Sequence, residues 1–407
     1  MKKMTKKILA IGIIALLVLG VGLVAAINAD EIENNYVSKE KAREHATVTM
    51  LKFVLAGTPG LEDEDWKGAT INPEPLTIYD INGKKLYYQF SVEKDGKTVG
   101  GIKTAASKVL GASVCTIGLS PRAWDPDIAL KKAKEIAKKQ YEGAEITSTT
   151  LVCYGYPKIG VMLKLHDPKT GEEQRLFIDA SDYSVVQDRM PEPGLEGPGV
   201  WSLYESIPKE EWAQRISDWE VDDKHAREVI AKAHSAGIDI SKSLSEKELE
   251  TLREALASPL SYKVLSGFHL FGQEKPYYCA PATGQMIADY YDVSHTQDHI
   301  ADEMGTTSGG TTMSGQLDYY TGNPPDCLDK SGSYDDYDCT WEKAKDEIDA
   351  NRPLKSGVPR HARACAGWWS DGTNYLYIYD PLPVNEGDRY WESWDSIEHT
   401  NYIYVLD

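Results

Sequence analysis

The chain has 407 residues, 41% of them hydrophobic and 26% charged, which is enough apolar material to fold and too long for one ordinary core, so two or three domains are expected. Its formal net charge of -19 excludes a nucleic-acid surface as the main business of the protein, because phosphate backbones are held by clustered Lys and Arg.

Residues 1–29 open with four lysines and continue as an uncharged, mostly apolar run from Ile8 to Ile27. Such a run spans a bilayer as a helix with the lysines on the cytoplasmic side. Ala25, Ala26 and Ala29 also supply the small residues a signal peptidase needs. A cleaved signal and a membrane anchor through residues 8–27 both fit, and both put the remaining chain outside, secreted or at the cell surface. Export permits disulfides, and Cys327 and Cys339 flank a short polar loop whose closure contributes about 3 kcal/mol on the chain-entropy model. Cys115 with Cys153 is the second expected bridge, leaving Cys279 and Cys365 free.

Residues 36–125 and 126–190 repeat one pattern, a helix followed by strands. The first copy has Ser38 as N-cap and Asp95-Gly96 as a hairpin turn; the second places "DPKTG" between two strand-like runs. In element order these copies resemble small α+β modules of the PepSY or cystatin-like type, and the prosegment of streptopain-type enzymes. Residues 191–204, entered through "MPEPGLEGPG", read as a Pro/Gly linker. Residues 205–259 read as a helical connector, with Asp222 capping one helix that Gly237 ends, and Ser245 with Glu248 forming a capping box for the next.

Residues 260–407 carry the chemistry. In "YYCAPATGQMIADYY" Pro281 suits a first helical turn, and Ala282, Met286 and Tyr290 recur on one face, which puts Cys279 at a helix N-terminus. The unpaired N–H groups there favour a thiolate, the nucleophilic form. The stretch 357–383 reads as two strands joined at Asp371-Gly372, in a register that opposes His361 to Leu382 and makes Asp380 its diagonal neighbour. His361 is then the base for Cys279, and Asp380 orients its imidazole. Gln273 aims a side-chain N–H at the oxyanion, with the backbone N–H of Cys279 as second donor.

Gln273 with Cys279, "HARACAGWW" from His361 and "YIYDP" ending in Asp380-Pro381 resemble the papain-like fold, in particular the C39-like branch of cysteine peptidases. The resemblance covers about residues 262–407 and implies a peptide or protein substrate. The local signature around the nucleophile in classical papain and cathepsin enzymes is absent, and no ATP-binding domain accompanies the match. His295 and His299 stand four residues apart without completing a zinc pattern, and the acidic "SYDDYD" lacks the EF-hand order, so no metal and no organic cofactor is expected.

The expected fold class is α+β: two small modules, a helical connector, and a papain-like domain whose helix carries Cys and whose antiparallel sheet carries His and Asp. The expected function is an exported cysteine peptidase, its N-terminal region an inhibitory prosegment. A catalytically silent cell-surface binding protein and an acyltransferase or isopeptide-forming enzyme remain as alternatives on the same residues, and oligomeric state stays open.

Overall fold

Ser38 caps helix α1, Lys39–Ala56, by accepting from Lys41 N at 3.1 Å, and Gly57, at φ 64, lets the chain leave it. The computed structural model describes residues 31–62, 65–256 and 261–407, so the apolar run at 8–27 lies outside the described residues. Among the described residues no helix is long and apolar enough to cross a membrane.

After α1 come β1 (Leu76–Asp80), β2 (Lys85–Lys94), β3 (Lys97–Ala105) and β4 (Val114–Gly118). Asp95 and Gly96, at φ 52 and 77, make the tight β2–β3 turn that their residue types favour. Helix α2 (Pro126–Gln140) follows, capped by Asp125, and then β5 (Glu145–Gly155), β6 (Lys158–His166) and β7 (Glu173–Asp179). β1 and β5 pair in parallel through Tyr79↔Val152 and Asp80↔Cys153, fusing the two strand sets.

Helix α3 runs from Trp212 to Ser235, beginning ten residues before the expected cap. Asp222 therefore sits inside the helix. Its carboxylate accepts from Ser113 N and Thr373 Oγ1 and ties the helix to both halves of the sheet, a tertiary role that local sequence does not reveal. The Ser245–Glu248 capping box forms at the start of α4, Glu246–Leu256.

The last third supplies α5 (Cys279–Tyr290), β8 (Leu354–Val358), β9 (His361–Ser370), β10 (Asn374–Asp380), β11 (Asp388–Ser393) and β12 (Asn401–Tyr404). The described residues form a mixed α+β fold with a large, mostly antiparallel sheet of sixteen strands, in which β12-β8-β9-β10-β11 continues directly into β4-β3-β2-β1-β5-β6-β7. The seam is β11 on β4, with Tyr390↔Gly118, Trp391↔Ile117 and Glu392↔Thr116. One apolar cluster crosses it, from Ile32 to Val405. In it Phe53 of α1 stacks on Trp369 of β9, ring centroids 4.1 Å apart.

All six cysteines are free thiols. The two expected bridges are absent: Cys327 Sγ is directed at Glu303 and Cys339 Sγ at the Asp336 carbonyl, while Cys115 and Cys153 are packed into the apolar core. The Pro/Gly segment is not a free tether either. Leu195–Glu196 pairs with Thr311–Thr312, and Glu196 is buried.

Candidate active site

Cys279 is the first residue of α5 and is buried, as are its neighbours Ala280, Pro281 and Ala282. Helix α5 packs on the sheet, where β9 begins at His361 and β10 ends at Asp380. The β9–β10 loop contains three residues, Asp371 to Thr373, one more than the sequence reading gave it. A bulge between Cys365 and Gly367 absorbs the extra residue, so Cys365↔Ile378 and Ala364↔Tyr379 return to the expected register. Two departures cancel, and His361 Nε2 lies 2.8 Å from Asp380 Oδ1.

His361 Nδ1 is buried and has no other hydrogen-bond partner among the described residues, which leaves it for the thiol of Cys279. Burial would push the Cys279 thiol up, but hydrogen bonding to His361 and its charge, helped by the Ala362 N–H, outweigh both burial and the nearby Glu196 carboxylate and hold the thiol below its ordinary value. Burial would likewise lower the imidazole; Asp380 first, then Cys279, raises it instead. Asp380 is in turn held low, against burial, by His361, Arg363 and Tyr390. Its Oδ1 also accepts from Leu382 N at 3.0 Å, and its Oδ2 accepts from Tyr390 Oη at 2.7 Å.

Gln273 is buried beside this group. Its N–H donates to Pro381 O and its carbonyl accepts from Asn385 N, which fastens it to the loop that follows Asp380. The side-chain Nε2 donates to Lys275 O at 2.7 Å, and Oε1 has no hydrogen-bond partner among the described residues.

Several residues of the site carry no motif. Arg363, two positions after His361, is fully buried and pairs bidentately with Glu392, at 2.5 and 2.9 Å. Tyr156, from the loop between β5 and β6, donates to the same Glu392 carboxylate, and Tyr390 Oη stands 3.1 Å from Arg363 Nη1. A continuous polar chain thus runs from His361 through Asp380, Tyr390, Arg363 and Glu392 to Tyr156 in the N-terminal half. The spacing of two between His361 and Arg363, and between Tyr390 and Glu392, was the available signal: strand alternation puts each pair on one face. Lys158 of β6 approaches from the same half, its Nζ 3.4 Å from Gly197 O. Cys365, four residues beyond His361, is buried with its thiol pushed up to about 12, and His295 and His299 bond the carbonyls of Pro325 and Asp326.

The Peptidase_C39 like family model matches residues 265–404, an interval that contains Gln273, Cys279, His361 and Asp380. Among solved structures, the peptidase domain of Streptococcus ComA, described as a bi-functional ABC transporter involved in quorum sensing, is 20% identical over 34% of this chain and 99% of that chain, with a TM-score of 0.27. No curated protein matches. The C-terminal third of this chain, residues 265–404, is a C39-like peptidase domain of the papain-like kind.

Proposed function

We propose that the chain is a cysteine peptidase in which Cys279 is the nucleophile and His361 its base. The observation that carries this reading is geometric: Cys279 begins a buried helix, and His361 holds Asp380 at 2.8 Å through Nε2 while its buried Nδ1 has no other partner among the described residues; the lowered thiol pKa agrees with that arrangement. His361 takes the thiol proton, and the thiolate attacks the scissile carbonyl carbon. The C–N bond breaks as His361 returns the proton to the departing amine, and water then hydrolyses the thioester. Asp380 holds the imidazole by its Nε2, so that Nδ1 faces sulfur. The second N–H of the Gln273 amide and the backbone N–H of Cys279 are the oxyanion donors; one such donor is worth roughly 3 kcal/mol in the transition state.

In the same proposal residues 1–29 export the chain, residues 36–190 and the helices that follow as far as Leu256 brace the peptidase domain, and the 191–204 segment keeps it latent. Latency is favoured by one contact: the Glu196 carbonyl oxygen lies 3.9 Å from Cys279 Sγ. Incubating full-length wild type and Cys279→Ala with a mixed peptide library tests the activity. Cleavage by the wild type alone is expected; equal peptide profiles, together with an ordinary alkylation pH for Cys279, would sink the peptidase reading.

A further inference from the structure

Residues 191–199 lie across Cys279 in the way an extended peptide occupies a cleft. Leu195 and Glu196 pair antiparallel with Thr312 and Thr311 on one side. On the other, Gly197 N donates to Arg360 O at 3.0 Å, and Arg360 Nη1 donates to the carbonyls of Pro191 and Glu192. The fit is close enough to demand glycine: a Cβ on Gly197 would stand 2.2 Å from Gly309 O, and one on Gly310 would stand 2.0 Å from Glu196 O. The residue whose carbonyl meets the nucleophile is Glu196.

The Glu196 side chain enters a pocket built for a carboxylate. Lys355 Nζ lies 2.5 Å from Oε1, Asn401 Nδ2 donates to Oε1 at 3.3 Å, and Gln316 Nε2 donates to Oε2 at 2.8 Å. Lys355 and Gln316 have no exposed surface. An ammonium group removed from water in this way needs an anion at its side, because an unpaired buried charge costs several kcal/mol. Asn401 Oδ1 accepts from the same ammonium but carries no charge. Whatever displaces the strap must therefore bring a negative side chain to this position. Beside the strap a cavity of about 600 Å³, bordered by Leu195, Glu196, Met313, Tyr337 and Arg360, leaves room for neighbouring residues of a bound chain.

We infer that Lys355, Gln316 and Asn401 form the specificity pocket of the peptidase, that it selects Glu or Asp as the residue on the acyl side of the scissile bond, and that Glu196 occupies it in the resting chain as an internal mimic. This rests on the peptidase reading and adds the substrate class to it. The strap and an acidic substrate compete for one ammonium, and the acidic substrate enters only as Glu196 leaves.

The test uses full-length protein and three peptidyl acyloxymethyl ketones, acetyl-Pro-Gly-Leu-Glu, its Gln analogue and its Lys analogue, with labelling of Cys279 read by mass spectrometry. In Glu196→Gln, which keeps the side-chain shape but removes the competing charge, the Glu probe is expected to label roughly tenfold or more faster than the Gln and Lys probes. It is also expected to label this variant faster than wild type. Adding Lys355→Met should abolish the preference; should the double variant melt at room temperature, the Glu-over-Lys ratio in Glu196→Gln decides alone. Equal rates for the three probes, or no labelling by any of them while iodoacetamide modifies Cys279 at pH 7, overturns the acidic pocket and leaves the peptidase reading standing. A Cys279 that iodoacetamide modifies no faster than an ordinary thiol, in every variant, overturns the peptidase reading instead.

Discussion

His361 Nε2 and Asp380 Oδ1 are 2.8 Å apart, with both side chains 1% exposed, so the attraction between imidazolium and carboxylate is little screened by water. The raised imidazole pKa that follows has a definite sign. Its contribution to folding is complete below the unfolded value of about 6.5 and is lost as pH rises through the folded one.

That sign sets the first prediction. In the proposed mechanism the thiolate–imidazolium pair persists only while His361 is protonated, so Asp380→Asn should move the alkaline limb of the kcat/KM profile to lower pH. Replacing the charge costs kcat/KM roughly tenfold or more at pH 8, with a smaller loss at pH 6. A pH profile of the variant beside wild type checks it, and an unmoved alkaline limb would refute Asp380 as the source of the raised imidazole.

The second prediction concerns thiol selectivity. Burial pushes Cys115, Cys153, Cys339 and Cys365 up to about 12, and Cys327, although more exposed, to about 11. Cys279 alone among the six is held below its ordinary value. Limited alkylation of native protein at pH 7 followed by peptide mapping should find Cys279 modified ahead of Cys327. The reverse order would show that exposure, and not the imidazole, governs reactivity.

A third prediction follows from Arg363 and Glu392, both without exposed surface. Arg363→Met leaves the buried Glu392 carboxylate with Tyr156 as donor and no cation, and should cost about 3–5 kcal/mol in guanidinium unfolding. Adding Glu392→Gln should recover part of that loss, because the second change removes the stranded charge. A loss below about 1 kcal/mol for the single variant would mean that the pair contributes little to holding β9 and β11 together.

Gly197→Ala supplies the fourth. With a Cβ only 2.2 Å from Gly309 O, either the strap or the Thr307–Gly310 turn has to give, and lifting of the strap away from the cleft is the expected outcome. Cys279 alkylation should speed up about tenfold, equivalent to about 1.4 kcal/mol in the opening equilibrium, with the thermal midpoint little changed. Unchanged alkylation kinetics would separate the strap from latency.

The elements fixed by local chemistry were readable in the residues alone: Ser38, Asp95-Gly96 and Ser245 with Glu248 all act within four residues of themselves. The meeting of His361 with Asp380 was legible because alternation and a turn determine which strand residues face each other, and it survived an extra loop residue only because of the bulge at Cys365/Gly367. Long-range partners left no such trace. Asp222 is chemically a good helix cap, and nothing within its own helix announces that Ser113 and Thr373 would claim it. Glu196 looked like one polar residue in a Pro/Gly run because Lys355 lies 159 positions away. The bridge expected between Cys327 and Cys339 came from loop length alone, which does not say where two sulfur atoms point.

Because Trp391 pairs with Ile117 across the seam, cutting out the peptidase third is expected to expose a sheet edge that the intact chain covers. Excision would strip β11 of its β4 neighbour and leave a six-residue edge strand carrying Tyr390 and Trp391 with open N–H and C=O groups, a template for sticking to other copies. It would also uncover the Trp369 face that Phe53 shields. On the proposed reading, access to Cys279 is therefore expected to be governed by the 191–199 ribbon, whose Glu196 carbonyl meets the thiol, within an intact body, and not by the shedding of its first half.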